Sequence, residues 1–328
     1  MMVTYMETGS IDPRYNLAFE EYVLCHRTTG DILILWQNEN SVIIGQNQNT
    51  LEEINVPFVE KHHINVVRRT TGGGAVYHDL GNLNYSFITD LEDPEKLTIN
   101  KFTIPVINAL EQLHVHAAAS GRNDILIDGR KISGTAQRIE KSRILHHGTL
   151  LFRSNPGMID GALNVDPHKF RSKSAKSVKS RVGNIADYID EDMTLREFWE
   201  HLKESLSGEG FVQGSLTKEE LRGVEALKRD KYDTWEWNYG RSPEFQMHHK
   251  SYWDGGALEI YGDMKKGRIE ALKIYGDFLA VKSMEEIIPL FTGKEFTRAA
   301  CKGVLDGIRL SDYFGTITEE EILSTMFE

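Results

Sequence analysis

The sequence predicts a mixed α+β fold, and three observations carry that expectation. Short apolar runs crowd the first half: ILILW (32–36), SVIIG (41–45), INVV (64–67), LNYSFI (83–88) and TLLF (149–152). Each has the length and composition of a strand. Between 124 and 134, DILIDGRKISG holds Asp128-Gly129 between two such runs, a hairpin signal. Helix starts are well marked but few, so the pattern departs from the regular strand–helix alternation of a doubly wound sheet.

Taken in chain order, Asp12-Pro13 opens a helix through Leu17, Glu21 and Leu24, with a capping carboxylate followed by a first-turn proline. Thr194, Thr217 and Thr318 each stand three residues before a glutamate, the spacing of a capping box. In the hairpin, strand alternation sets Lys131 and Ser133 on one face and Arg130 and Ile132 on the other. Leu258–Asp263 and Leu272–Asp277 resemble each other and read as paired strands, too few for a repeat array. A boundary after the aromatic stretch KYDTWEWNYGRSPEF divides the chain into 1–246 and a small accessory domain, 247–328.

Composition narrows the function. A chain of 328 residues, 40% hydrophobic and 27% charged, belongs with globular proteins. Its net charge of −11 argues against a general nucleic-acid binder, which needs a basic surface. No apolar run is long enough to span a bilayer and the start has no secretory pattern, so no membrane is expected and the cytoplasm is the expected compartment. The two cysteines, Cys25 and Cys301, form neither a CxxC unit nor a disulfide framework.

Four segments could carry chemistry. RRTTGGGAVYHD (68–79) is neither a Walker loop nor GxGxxG; its Gly72, Gly73 and Gly74 could bring backbone N–H groups to an anion beside Arg68 or Arg69. A tight turn with surface arginines is the competing reading. In GRNDILIDGRKISGTAQR (121–138), Asn123 and Asp124 offer oxygens of the kind Mg²⁺ takes, and Lys131 offers a compact charge for a phosphate or carboxylate. A polar hairpin with a solvated lysine would read the same way. HKFRSKSAKSVKSRVGNI (168–185) carries six basic residues and no acid, and reads as a mobile loop that could close over a nucleotide. HHGTLLF (146–152) brings a histidine pair into a strand without a Ser-His-Asp pattern.

The ordered set PRYNLAFEE (13–21), LWQNENSVIIGQNQN (35–49), RRTTGGGAVYHDLGNLNYSF (68–87), GRNDILIDGRKISGTAQR, HHGTLLF, SVKSRVGNI (177–185) and KYDTWEWNYGRSPEF (231–245) resembles lipoate–protein ligases over nearly the whole catalytic portion. The C-terminal segment is similar to the accessory domain of the two-domain members. The resemblance implies a largely antiparallel sheet flanked by helices, of the class II synthetase and biotin-ligase kind, with a small α/β C-terminal domain. It implies a two-step reaction in which lipoate and ATP, with Mg²⁺, give lipoyl-AMP, and the acyl group passes to an acceptor lysine. The implied partners are lipoyl domains of 2-oxoacid dehydrogenase complexes or the glycine-cleavage H-protein.

By the same resemblance Lys131 would bridge the α-phosphate and the acyl carbonyl, and Arg69 would hold phosphate. Gly74, Ala75, Val76 and Tyr77 would present backbone to the adenylate, with Ser177, Val178 and Arg181 on a loop folding over it. Trp36, Thr71, His78 and His147 would help line the lipoyl pocket, and Asn123 and Asp124 would meet Mg²⁺. Gln46 stands where many relatives carry a basic residue, a departure expected to alter acceptor or pocket contacts.

Three rivals remain. Octanoyl- or lipoyl-amidotransferases pass the acyl chain through a cysteine, and no cysteine lies between residues 26 and 300. Biotin–protein ligases carry a GRGR stretch that is missing here. A non-catalytic lipoate or adenylate binder would be expected to lack Lys131 or the Arg-Gly motif, and both are present.

Overall fold

Hydrophobic alternation explains the centre of the molecule. In a computed structural model, which describes residues 3–91, 99–121, 123–164, 181–190, 192–208, 210–239, 247–265 and 267–327, the run ILILW becomes a strand buried on both faces. Leu33 and Leu35 enter one core while Ile32, Ile34 and Trp36 enter another, as a period of two requires.

That strand, β2 (Ile32–Trp36), lies in an eight-stranded sheet with β1 (Thr4–Glu7), β6 (Asn82–Asp90), β7 (Ala118–Ser120), β8 (Asp124–Ile127), β9 (Arg130–Glu140), β10 (Arg143–Leu151) and β11 (Val212–Gln213). The order is β11-β1-β2-β6-β10-β9-β8-β7. β11, β1 and β2 run parallel, and every other neighbouring pair is antiparallel. The sheet is therefore mixed and mostly antiparallel, with helices against it. The Asn100–Glu111 and Leu195–Ser207 helices contact one another, and the second supplies Phe198, Trp199 and Leu202 to the core on one face. The Pro13–His26 helix supplies Leu17, Ala18, Phe19 and Leu24 to the core on the other.

The expected starts appear. Asp12 Oδ1 accepts from Arg14 N at 2.9 Å ahead of Pro13. The boxes at Thr194/Glu197, Thr217/Glu220 and Thr318/Glu321 close in both directions.

A second sheet has β3 (Ser41–Ile44) between β4 (Asn65–Arg68), parallel to it, and β5 (Val76–His78), antiparallel. The glycine run is the connection from β4 to β5. Gly45, at the end of β3, comes so close that a Cβ there would stand 1.8 Å from Gly73 O. Only a residue without a side chain fits against that carbonyl. Gly45→Ala is expected to lower stability by about 3 kcal/mol, because backbone must move to relieve the overlap; urea unfolding of both proteins checks this.

The C-terminal part has its own core. β12 (Met247–Trp253), β13 (Gly256–Lys265) and β14 (Arg268–Gly276) form an antiparallel sheet. Leu258, Ile260 and Ile274 pack there with Phe291, Cys301, Phe314 and Leu323 from the helical segments that follow. The paired Leu258–Asp263 and Leu272–Asp277 segments fall on β13 and β14, and the third strand precedes them. This part meets the first through backbone bonds from Gly73 N to Phe278 O (3.2 Å), Gly276 N to Asn47 O (2.5 Å) and Ile139 N to Val281 O (3.1 Å).

Candidate functional site

The hairpin that carries Lys131 forms as its sequence dictates. Asp128 and Gly129 adopt φ of 48° and 76°, the left-handed pair that a two-residue turn between right-twisted strands requires. One feature was not legible: a β-bulge. Ile125 pairs with Ser133 but Leu126 pairs with Lys131, so Ile132 is the extra residue on β9. Ile132 enters the core, whereas Lys131 and Ser133 both line a cavity of about 500 Å³, as expected for these three; Arg130, expected on the face of Ile132, is exposed.

Two adjacent cavities share Lys131. The wider is lined by Gly74, Ala75, Val76, Tyr77, Asp124, Arg181 and Asp277, among others. The narrower, about 90 Å³, is lined by Leu17, Trp36, Ile43, His78, Asn84 and His147, among others. Gly74, Ala75, Val76, Lys131 and Thr149 border both. Lys131 Nζ lies 2.7 Å from Asp124 Oδ1. A Cβ on Gly134 would stand 3.0 Å from Nζ and 3.1 Å from Cε, so the missing side chain makes room for the lysine. Gly134→Ala is expected to displace the lysine end at near-normal stability, since that flexible end yields before the backbone does; thermal melting of both proteins checks this.

The two arginines divide their work. Arg68 donates to the carbonyls of Gly45, Gln46 and Gln48 at 2.7–3.0 Å, to Thr50 Oγ1 at 2.6 Å and to Trp237 O at 2.9 Å, tying the 45–50 loop to the 235–238 turn. Arg69 donates to Ile43 O, Gly72 O, Gly74 O and Thr71 Oγ1 at 2.7–3.2 Å, and the residue borders the narrower cavity. Burial pushes both down to about 10, which leaves them charged at neutral pH. The glycines divide as well. A Cβ on Gly72 would meet Ala280 N at 2.8 Å and Gly73 N bonds Phe278 O, so these two fit the C-terminal part, while Gly74 borders the cavities.

Behind the narrower cavity runs a buried polar chain. Asn16 and Glu20, one turn apart on the Pro13–His26 helix, are 0% and 2% exposed. Glu20 accepts from His147 Nδ1 at 2.9 Å and from Ser86 Oγ at 2.5 Å. Trp36 Nε1 donates to Ser86 Oγ at 2.8 Å, and His147 Nε2 meets Thr71 Oγ1 at 2.8 Å. Trp36, Thr71 and His147, three of the four expected pocket residues, are thus fixed by one carboxylate; the fourth, His78, is held separately through Asn38 Nδ2 at 3.0 Å.

Asn123 donates to Thr135 O at 2.8 Å and borders the narrower cavity, whereas Asp124 borders the wider one. Among the described residues no cluster of three or more His, Cys, Asp or Glu could cage a metal. Ser177, Val178 and most of the basic run lie outside the described residues. Neither cysteine borders either cavity. Sequence reading gave no site role to Asn16, Glu20, Asn38, Asn84 or Ser86, the last two standing out only as a chance glycosylation sequon, Asn84-Tyr85-Ser86; two buried polar residues four apart on an otherwise apolar helix face were the available signal for the first two.

The fold thus sets Lys131 on a hairpin strand at the border of a narrow and a wide cavity. The family description "Lipoyl protein ligase A/B catalytic domain" matches residues 12–207, and "Bacterial lipoate protein ligase C-terminus" matches 242–326. The chain is 46% identical to lipoate-protein ligase LplJ of Bacillus subtilis over 96% of its own length and 97% of that protein's, and 40% identical to lipoate–protein ligase 1 of Staphylococcus aureus over the same shares. It belongs to the lipoate–protein ligases. Among solved structures, P. falciparum LipL1 in complex with lipoate has the same fold, with a TM-score of 0.81 at 23% identity over 98% of each chain. The bipartite ligase of Thermoplasma acidophilum, studied with its E2 lipoyl domain, matches at 31% identity and TM-score 0.65 over 75% of this chain and all of that one. A lipoate-protein ligase A bound with ATP matches at 29% and 0.62 over 73% of this chain and 98% of that one. Among the described residues no helix is long and apolar enough to cross a membrane.

Proposed function

We propose that this ligase activates lipoate with ATP to lipoyl-AMP and pyrophosphate, then transfers the lipoyl group to a lysine of a lipoyl domain. One observation carries the reading: Lys131 borders both cavities, where an acyl carboxylate in the narrow one would meet a nucleotide α-phosphate in the wide one. Carboxylate attack on phosphate gathers anionic oxygens, and a fixed ammonium offsets the charge that develops. The rest of the task is orientation. Arg69 holds the Gly72–Gly74 turn through its carbonyls, which sets the backbone of Gly74–Tyr77 along the wide cavity. Arg181, bordering that cavity, adds a second cation toward phosphate. The division 1–246 and 247–328 assigns both chemical steps to the first part.

Mg²⁺ suits this site as an ion carried by the triphosphate. Asp124 offers one carboxylate at the wide cavity, and Mg²⁺ ordinarily takes one or two carboxylates with phosphate and water. Bound there, it would neutralise phosphate charge; Asp124 would hold it, with Asn123 beside it.

The amidotransferase alternative needs a thiol at the acyl carbonyl. Cys25 sits on the Pro13–His26 helix, Cys301 is buried in the C-terminal core, and burial raises both thiols. Acceptor choice between a 2-oxoacid dehydrogenase lipoyl domain and an H-protein would fall to surface contacts near Gln46. The test is ATP–pyrophosphate exchange with Mg²⁺ and lipoate, octanoate, biotin or no acid, followed by apo-acceptor. Lipoate-dependent exchange and acceptor lipoylation are the expected results. Their joint absence overturns the reading.

A further inference from the structure

The C-terminal part places one carboxylate in the wall of the wide cavity. Asp277 stands directly after β14, one residue past Leu258↔Gly276, the pair that ends that ladder. Its Oδ1 accepts from Ala257 N, near the start of β13, at 2.7 Å, so a sheet end fixes the carboxyl group. The residues on either side clamp the first part. Gly276 N donates to Asn47 O at 2.5 Å, and Phe278 O accepts from Gly73 N at 3.2 Å. Asp277 is thereby held against the glycine turn, where a Cβ on Gly74 would stand 3.9 Å from its own Cβ. Gly74 borders both cavities, as Lys131 does.

A negative charge at this place is the feature to explain. The ligase reading brings an acyl carboxylate and a triphosphate to these cavities, and an acidic side chain beside them repels both. The bond to Ala257 N does not require the charge, because a neutral amide or hydroxyl oxygen also accepts. Two cations enter the reaction. Mg²⁺ travels on the triphosphate, toward the side of the cavity that holds Asp124. The ammonium of the acceptor lysine comes last and must reach the acyl carbonyl, at the border of the two cavities. Asp277, half-buried beside Gly74 at that border, suits the second.

We propose that Asp277 receives the acceptor lysine in the transfer step. The inference rests on the ligase reading and adds a residue to it: transfer draws this one group from the C-terminal part, while Lys131 and the cavity walls of the first part serve both steps. The carboxylate draws the ε-ammonium toward the acyl carbon and takes one proton from it. The freed amine attacks that carbon; the C–N bond forms and the C–O bond to AMP breaks. AMP leaves with the electron pair, and the second proton shed by the nitrogen passes to its phosphate. The carboxylate then returns its own proton to solvent. A lysine ammonium titrates near 10.4 in water, so unaided only about one in 10³ is a neutral amine at pH 7.5.

The test supplies lipoyl-AMP to the full chain and to its Asp277→Asn variant, whose amide oxygen keeps the bond to Ala257 N. Two nucleophiles are compared: an apo-lipoyl domain, and hydroxylamine, which is already uncharged at neutral pH. Lipoylation of the domain is expected to fall about 10²-fold, the lower end of what a positioned base contributes, and hydroxamate formation far less. Wild-type lipoylation by the variant overturns the proposal. So does an equal loss with both nucleophiles, which would make Asp277 a matter of the cavity's shape. A raised Mg²⁺ requirement in pyrophosphate exchange with transfer intact overturns it too, since the residue would then serve the metal. Absence of lipoate-dependent pyrophosphate exchange in the wild type would overturn the ligase reading itself, and this inference with it.

Discussion

Replacing Lys131 by methionine is expected to lower the rate of adenylation by about 10²–10³-fold or more, the scale of removing one fixed group that stabilises transition-state charge. The fold should survive. Lys131 is an intermediate-exposure hairpin residue whose ion pair to Asp124, at 2.7 Å, is partly solvated. Such pairs contribute between nothing and about 1 kcal/mol. Methionine keeps the length of the stem and the cavity wall while removing the charge and its donors. The two half-reactions separate the roles: pyrophosphate exchange reports on activation, and supplied lipoyl-AMP with apo-acceptor reports on transfer. Loss of both with an unchanged melting curve is the expected outcome. Wild-type rates in either half-reaction would remove the lysine from that step.

The elements set by short-range rules were the ones the sequence displayed. Asp128-Gly129 between apolar runs made the hairpin legible, and three Thr-x-x-Glu spacings marked helix starts that the structure closes with reciprocal bonds. What stayed hidden depends on register across long separations. Ser86 reaches Glu20 from 66 residues away and His147 from 127, through sheet pairings such as His147↔Ser86 that no local pattern announces. The bulge at Ile132 is likewise set by the partner strand. The adjacent arginines illustrate the same limit. Composition left open which of Arg68 and Arg69 would face an anion; alternation sends them to different loops, and each is held by carbonyls its neighbours supply. The glycine run had two causes where one was expected, because the segment Phe278–Ala280 that packs on Gly72 and Gly73 lies two hundred residues away in sequence.

Buried histidines on both of the first part's sheets make the fold sensitive to acid. His78 and His146 are both pushed down to about 3, His78 by burial with Arg69 and His147, His146 by burial with His147. His146 stacks on Phe102 at 4.8 Å and bonds Gln137 through Nδ1 at 3.1 Å, so it has nowhere to place a second proton cheaply. In the unfolded chain each ring titrates near 6.5. Between pH 6.5 and pH 3 the unfolded state therefore binds protons that the folded state refuses, and stability falls as pH falls through that window. The contribution is whole above about pH 7. Near pH 5 it has dropped by about 2 kcal/mol per histidine, or about 4 kcal/mol for the two, at 1.36 kcal/mol per pH unit. Glu21 acts in the same sense at lower pH: although burial opposes it, Lys231 and Arg138 hold its carboxyl below the usual range. Urea midpoints taken from pH 7.5 to 5 should decline with a slope that His146→Gln reduces by about half, since one of the two refused protons is then absent from both states. A slope untouched by that substitution would show that His146 accepts its proton in the folded protein, and that the stack on Phe102 tolerates the charge.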